Sequence, residues 1–346
     1  MKKVNFVGEF SDVKVEGLMK IVSSLEKNLL KDFSIKINSN KKFDLLNIHS
    51  AGFLPALKKR KTINVPIIYS LHTNFGSNFF QVLKNNYDLK KYILDDTYSY
   101  HTNFFQRSRK LLFKLLSISY PTAFKKLLFK KYSKVIVPNY YMKKKLNYSN
   151  VEVIRHGINI EKFIPKKIPH KKIAVSYIGH LGVEKGIIEA VYALSSLDDT
   201  YTKSLFLTGK TDKFLSFVKS RDENISIYGT SKNIVKTYQE QDIIILPFRN
   251  EVAAIGTPLV LIEAMATGKA IITTNLQHLK EYCSDSVLYV EPYDTKDLIS
   301  KLNQLVSDPK LRKELGIKAR LRAETYFDEK VMIEKYTNMY NKLLMK

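Results

Sequence analysis

The sequence predicts an α/β protein built from two doubly wound domains, and three observations carry that prediction. Short apolar runs bounded by turns alternate with helical patterns from one end of the chain to the other. The runs are continuously rather than alternately hydrophobic, as expected of parallel strands covered by helices on both faces. They form two series, each opening afresh with a strand and a glycine-containing turn, and 346 residues suffice for two domains of ordinary size.

The first series starts at 4–7 (VNFV) and continues at 34–37 (SIKI), 45–49 (LLNIH), 66–71 (PIIYSL), 135–137 (VIV) and 151–154 (VEVI). A second follows at 173–178 (IAVSYI), 204–208 (SLFLT), 225–228 (ISIY), 243–246 (IIIL), 270–274 (AIITT) and 286–290 (SVLYV). Between them, FIPKKIPHKK at 163–172 breaks periodicity with two prolines and a run of lysines, which places the boundary between domains 1–165 and 166–329. Residues 308–344 read as helices, with Pro309 near a helix start and Gly316 as a break.

Composition narrows the class. One cysteine, Cys283, excludes an internal disulfide and a cysteine-rich zinc site and favours a reducing compartment. The start, two lysines and a short apolar run ended by Glu9, reads as a strand rather than a signal peptide, and no run approaches the roughly 18 apolar residues of a spanning helix. A cytoplasmic location follows as the expectation. The net charge of +24 is uneven: residues 1–165 hold 30 basic and 11 acidic residues, the rest 27 and 22, and 97–151 holds twelve basic residues and no carboxylate. Only nine of the basic residues are arginine, which makes nucleic acid an unlikely partner, since arginine is the better bidentate reader of phosphates and bases.

The most informative segment is IGTPLVLIEAMATG at 255–268. Gly256, Thr257 and Pro258 read as a tight turn and 259–266 as a helix whose first amides suit an anion. Glu263 interrupts the apolar run LVLIEAMA. A carboxylate buried there costs several kcal/mol (~3–5) unless donors meet it, so it has either a bound ligand or a structural cation as partner.

This segment, the preceding DIIILPF, the tail 294–324 and YIGHLGVEKG at 177–186 together resemble the second domain of the nucleotide-sugar-dependent glycosyltransferases of the large retaining family four, which have the GT-B fold. FDLLNIHS, PIIYSLHTNF and VIRHGINIEKFIP resemble segments of the same family in the first half. The resemblance implies that Glu263 binds the donor ribose hydroxyls, and that Lys185, His180 and the Gly256–Thr257 turn hold the diphosphate. It also implies that His72 stands beside the transferred sugar, with His49 at the preceding strand structural, and that Gly17 belongs to a glycine-rich first loop near phosphate. It further implies that the final helix, 330–346, packs back on the first domain. A nucleoside-diphosphate sugar is then the donor substrate, with no separate cofactor and no metal; His72, Lys185 and His180 are the candidate catalytic residues.

Four positions depart from the family pattern. Ile255 stands where the family has the first glutamate of its pair, and His180 replaces an arginine; Gln277 and His278 replace two glycines. Glu251 is the nearest carboxylate to the Ile255 gap. A non-catalytic nucleotide-sugar-binding protein and a DNA-modifying sugar transferase therefore stay open beside the transferase reading. Within residues 107–134, RSRKLLFKLLSI and PTAFKKLLFKKY form basic amphipathic patterns. They suit either packing on the sheet or an anionic membrane surface, which fits a glycan or lipid-linked acceptor at the inner face of the cell membrane.

Overall fold

Two six-stranded parallel sheets form the framework of the computed structural model, which describes residues 1–8, 16–50, 65–72, 84, 87, 88, 91–93, 129–166, 168, 169, 171–251 and 258–345. The first sheet holds β1 (Lys2–Val7), β2 (Phe33–Ile37), β3 (Leu45–Ser50), β4 (Ile67–Leu71), β5 (Lys134–Val137) and β6 (Val151–Val153), in the order β2-β1-β3-β4-β5-β6. The second holds β7 (Ala174–His180), β8 (Thr202–Thr208), β9 (Ser226–Tyr228), β10 (Ile243–Leu246), β11 (Ala270–Thr274) and β12 (Leu288–Val290), in the order β12-β11-β10-β7-β8-β9. All twelve strands coincide with the apolar runs of the sequence to within two residues at every end.

Continuous hydrophobicity has the expected cause: neighbouring residues bury on opposite faces. In the first sheet Leu45 and Ile68 face a layer with Ile21, Val22 and Leu25 of α1 (Glu16–Leu29). Leu46 and Tyr69 face the opposite layer, with Met142 and Leu146 of α2 (Tyr140–Leu146). In the second sheet Ile243 and Ile245 pack against α3 (Ile187–Ser195), α4 (Asp212–Arg221) and α8 (Thr295–Ser307). Ile244 and Leu246 pack on the other face, with α5 (Ile234–Gln239), α6 (Leu259–Ala266), α7 (Gln277–Cys283) and α9 (Pro309–Tyr326).

Pro309 does open α9, but Gly316 does not break it. The helix runs through that residue, and the glycine serves a close approach: a Cβ there would stand 2.3 Å from the carbonyl oxygen of Gly268. The last helix, α10 (Glu329–Leu344), lies on the first sheet, where Met332, Tyr336, Met339 and Tyr340 complete its core. The Tyr340 hydroxyl accepts a 2.7 Å hydrogen bond from Asn47.

Two passages of the chain between the domains run side by side. Ile158 bridges to Asp328, with the Ile158 amide donating to the Phe327 carbonyl at 2.9 Å and the Glu329 amide returning to Ile158 at 2.9 Å. Gly157 is needed here, since a Cβ would lie 2.5 Å from the Glu329 Cα. Ile158, Ile160 and Phe163 already pack in the second core, so the first passage precedes the lysine-rich stretch. A further clasp joins the domains at Glu281 of α7. Its carboxylate accepts the amides of Tyr140 and Tyr141, at 2.9 and 3.0 Å, and an ion pair from Arg155 at 3.1 Å.

Candidate functional site

A cavity of about 330 Å³ opens at the C-terminal ends of β7 to β10. Strand order reverses between β7 and β10, the place where open parallel sheets hold ligands, and the volume lies within the range of small-molecule sites. Tyr177 to His180 of β7 line one wall, and Gly229 to Ser231 after β9 line the far end. The first domain contributes Lys20 and Ile21 of α1.

Lys185 enters the cavity from a single 3-10 turn, Val183–Lys185, between β7 and α3. Gly186 closes that turn at φ 80°, and a Cβ there would meet the Pro247 carbonyl oxygen at 1.9 Å, so only glycine fits. Burial lowers the pKa of the Lys185 ammonium, with the Glu184 carboxylate acting the other way. An anionic ligand would restore what burial costs this cation. His180, at the exposed end of β7, also lines the cavity, and the Tyr177 hydroxyl donates to its carbonyl at 3.1 Å.

Glu263 projects from α6 into the same cavity and is only 4% exposed. The Tyr238 hydroxyl donates to one carboxylate oxygen at 3.0 Å, and Lys20 pairs with the other at 3.4 Å. Burial raises its pKa, and Lys20 and Tyr238 oppose that rise. Of the two alternatives left by the sequence, the structure shows the cation: Lys20 meets the carboxylate, and the residue also lines an open cavity. The pattern of residues 234–239 gave no signal for Tyr238, and Lys20 reaches Glu263 across 243 residues of chain.

His72 sits elsewhere. It is buried just beyond β4 and does not line the cavity. Its Nε2 meets Nδ1 of His49 at 3.0 Å, and its Nδ1 meets Nε2 of His156 at 2.8 Å, with the three rings nearly parallel. Burial brings the His72 pKa down to about 3 and holds His49 and His156 well below the usual range, so the chain is three neutral imidazoles. Sequence reading weighed His72 and His49 as alternatives; the fold makes them neighbours and adds His156 of the RHGIN segment.

Gly17 falls in the first turn of α1 rather than in a loop. Gly256, Thr257 and Ile255 lie outside the described residues, as do 107–128 of the basic amphipathic stretch. Glu251 does not turn toward the cavity. Its carboxylate takes a 2.5 Å hydrogen bond from Tyr141 and pairs with Lys145 at 3.3 Å, both of α2.

Comparison with known proteins bears on the fold. Residues 159–322 match the family model of the glycosyl transferases group 1. The chain is 27% identical over 232 residues to the N,N'-diacetylbacillosaminyl-diphospho-undecaprenol alpha-1,3-N-acetylgalactosaminyltransferase of Campylobacter jejuni, covering 58% of this chain and 60% of that protein. Across the curated relatives it matches, the chain spans between 45% and 60% of their length. Among solved structures, sucrose-phosphate synthase from Thermosynechococcus elongatus superposes with a TM-score of 0.69 at 14% identity, over 100% of both chains. HepE of Anabaena in complex with UDP and glucose superposes with a TM-score of 0.66 at 13% identity, over 99% of this chain and 100% of that one. Residues 159–322 are thus similar to the group 1 glycosyl transferases, and the chain as a whole has a two-domain α/β GT-B fold.

Proposed function

We propose that this protein transfers a sugar from a nucleoside-diphosphate sugar, with retention of anomeric configuration, to a lipid-linked or cell-surface glycan acceptor. The observation that carries the reading is one cavity, at a sheet switch point, that brings together a half-buried lysine and a buried carboxylate. In this reading Glu263 accepts hydrogen bonds from the ribose hydroxyls, and Lys185 and His180, with the Gly256–Thr257 turn, meet the diphosphate. As the bond from the anomeric carbon to the phosphate oxygen breaks, negative charge grows on the leaving diphosphate, where Lys185 lowers the barrier. The acceptor oxygen takes the same face of the carbon, and its proton passes to the departing phosphate, so no separate base is required. On the first-domain side the reading keeps His72 for the sugar and Gly17 for the acceptor, on the family resemblance rather than on a contact with the cavity.

The acceptor class rests on two supports. The Campylobacter relative is named for a diphospho-undecaprenol acceptor. The first half of this chain carries most of the excess positive charge, including exposed Lys143, Lys144 and Lys145 on α2. No helix among the described residues is long and apolar enough to cross a membrane, so contact with a lipid-linked acceptor would be peripheral, at the inner face of the cell membrane.

Thermal shift with a panel of sugar nucleotides tests the donor site, because a ligand at a hundredfold its Kd adds about 2.7 kcal/mol. A panel without any shift would sink the donor reading. The anomeric configuration of the product, read by NMR, tests retention. Ile255 motivates a second reading, a sugar-nucleotide-binding protein without turnover; tight binding with no transfer to polyprenyl-diphosphate acceptors would favour it. Flotation with vesicles of neutral and of anionic lipid tests the membrane contact, and equal recovery with both would refute it.

A further inference from the structure

Arg249 follows β10 and is 2% exposed, among the most deeply buried large side chains of the described residues. Its Nε donates to Glu189 of α3 at 2.9 and 3.1 Å, and Nη2 lies 2.8 Å from the same carboxylate. Its backbone amide donates to the Glu184 carbonyl at 3.0 Å. One residue therefore ties down both ends of 184–189, the stretch that presents Lys185. Pro247, two residues earlier, is the floor against which Gly186 packs.

The guanidinium has a second carboxylate, and it comes from the other half of the chain. Nη1 pairs with Asp88 at 2.6 Å, while the Tyr293 ring stands 5.2 Å from the guanidinium carbon. Asp88 belongs to the long connection between β4 and β5 of the first sheet. Its described neighbours also sit on the second domain: Ile93 is in the second core, with its carbonyl accepting Thr211 Oγ1 at 2.5 Å, and Tyr92 packs on Phe217 at 4.7 Å. Lys84, four residues before Asp88, stands 5.7 Å from Tyr293. Glu189 alone would neutralise Arg249, so the second carboxylate is not needed for charge balance within the second domain. Buried ion pairs contribute little to stability over apolar packing, and their better-supported use is to specify one arrangement.

We propose that Arg249 is a positioning residue for the Lys185 turn, and that Asp88 makes this positioning depend on the β4–β5 connection being seated on the second domain. The acceptor-side half then reports its docked state to the cation that faces the donor diphosphate. The catalytic meaning rests on the donor reading above; the physical coupling does not.

Hydrogen exchange on the full chain, followed by mass spectrometry, tests the coupling without any ligand. The amides of Lys185 and Gly186 donate to Gly182 and Val183. With Asp88→Ala, exchange in a peptide spanning 181–190 should quicken about tenfold, with strand 243–246 unchanged; Asp88→Asn, which keeps an acceptor but not the charge, should fall between. Faster exchange confined to 84–93 would overturn the proposal. A second arm uses UDP as probe: Asp88→Ala should weaken its Kd five- to tenfold while circular dichroism stays that of the unchanged chain. Undiminished UDP affinity would also overturn it. Absence of UDP binding to the unchanged chain counts against a uridine donor alone, with exchange still deciding the coupling.

Discussion

Two residues that face the cavity, Lys185 and Glu263, carry a conflict between burial and charge. Glu263 was legible in the sequence because a carboxylate inside LVLIEAMA contradicts its surroundings, and such contradictions mark places where local rules yield to function. Its partners were not legible, since Tyr238 and Lys20 meet it only through tertiary packing. Removing the Lys185 cation with Lys185→Ala should lower kcat by about 10²- to 10³-fold, the usual cost of losing one aimed electrostatic contact, with a smaller change in KM; steady-state kinetics would check this. The histidines make a separate statement about pH. His72 and His278 have folded pKa values near 3, whereas an unfolded histidine takes up its proton at about 6.5. The unfolded chain therefore binds more protons throughout that window, so this stabilising contribution is complete above about pH 6.5 and declines as pH falls towards 3. Neither ring nitrogen of His278 meets a hydrogen-bond partner among the described residues. His278→Phe should thus leave the protein at least as stable at pH 7 and flatten the acid limb of its stability curve by about 1.4 kcal/mol per pH unit, as chemical denaturation across pH would measure.

At the scale of elements the strands were the readable part. Buried parallel strands must be apolar on both faces, which leaves a short continuous run, rich in β-branched residues, that turns bound at either end. Helix α6 was readable from the proline before it, Pro258 standing at its N-cap. Gly316 shows the limit: a glycine that punctuates a loop and one that admits a neighbouring carbonyl look alike in sequence, and only the Gly268 contact tells them apart. The 84–93 segment shows it too, since nothing in its composition says which domain it will sit on. Gly186 belongs to both kinds, with a positive φ and a backbone oxygen where a Cβ would be. Gly186→Ala should destabilise the fold by about 2 kcal/mol or more, at the level of a strained left-handed residue with a clash added, and calorimetric unfolding would record it.

For the whole molecule, the two sheets are joined by helix α10 as much as by the linker. Met332, Tyr336, Met339 and Tyr340 are each worth about 1.5–3 kcal/mol of burial, so their sum rivals the whole stability of a typical domain of about 5–15 kcal/mol. Truncation after Asp328 should therefore leave the first domain unfolded, with loss of cooperative melting as the readout. The neighbouring passages at Ile158 and Asp328 have another consequence, for how such proteins diversify. Most of the second domain is one stretch of chain whose entry and exit touch, so it can be exchanged as a cassette with two adjacent seams, provided that its contacts with Asp88, Tyr92 and Ile93 are kept. Recombination or a designed chimera that replaces 158–328 would exchange the cavity-bearing domain while leaving the first sheet and its closing helix intact.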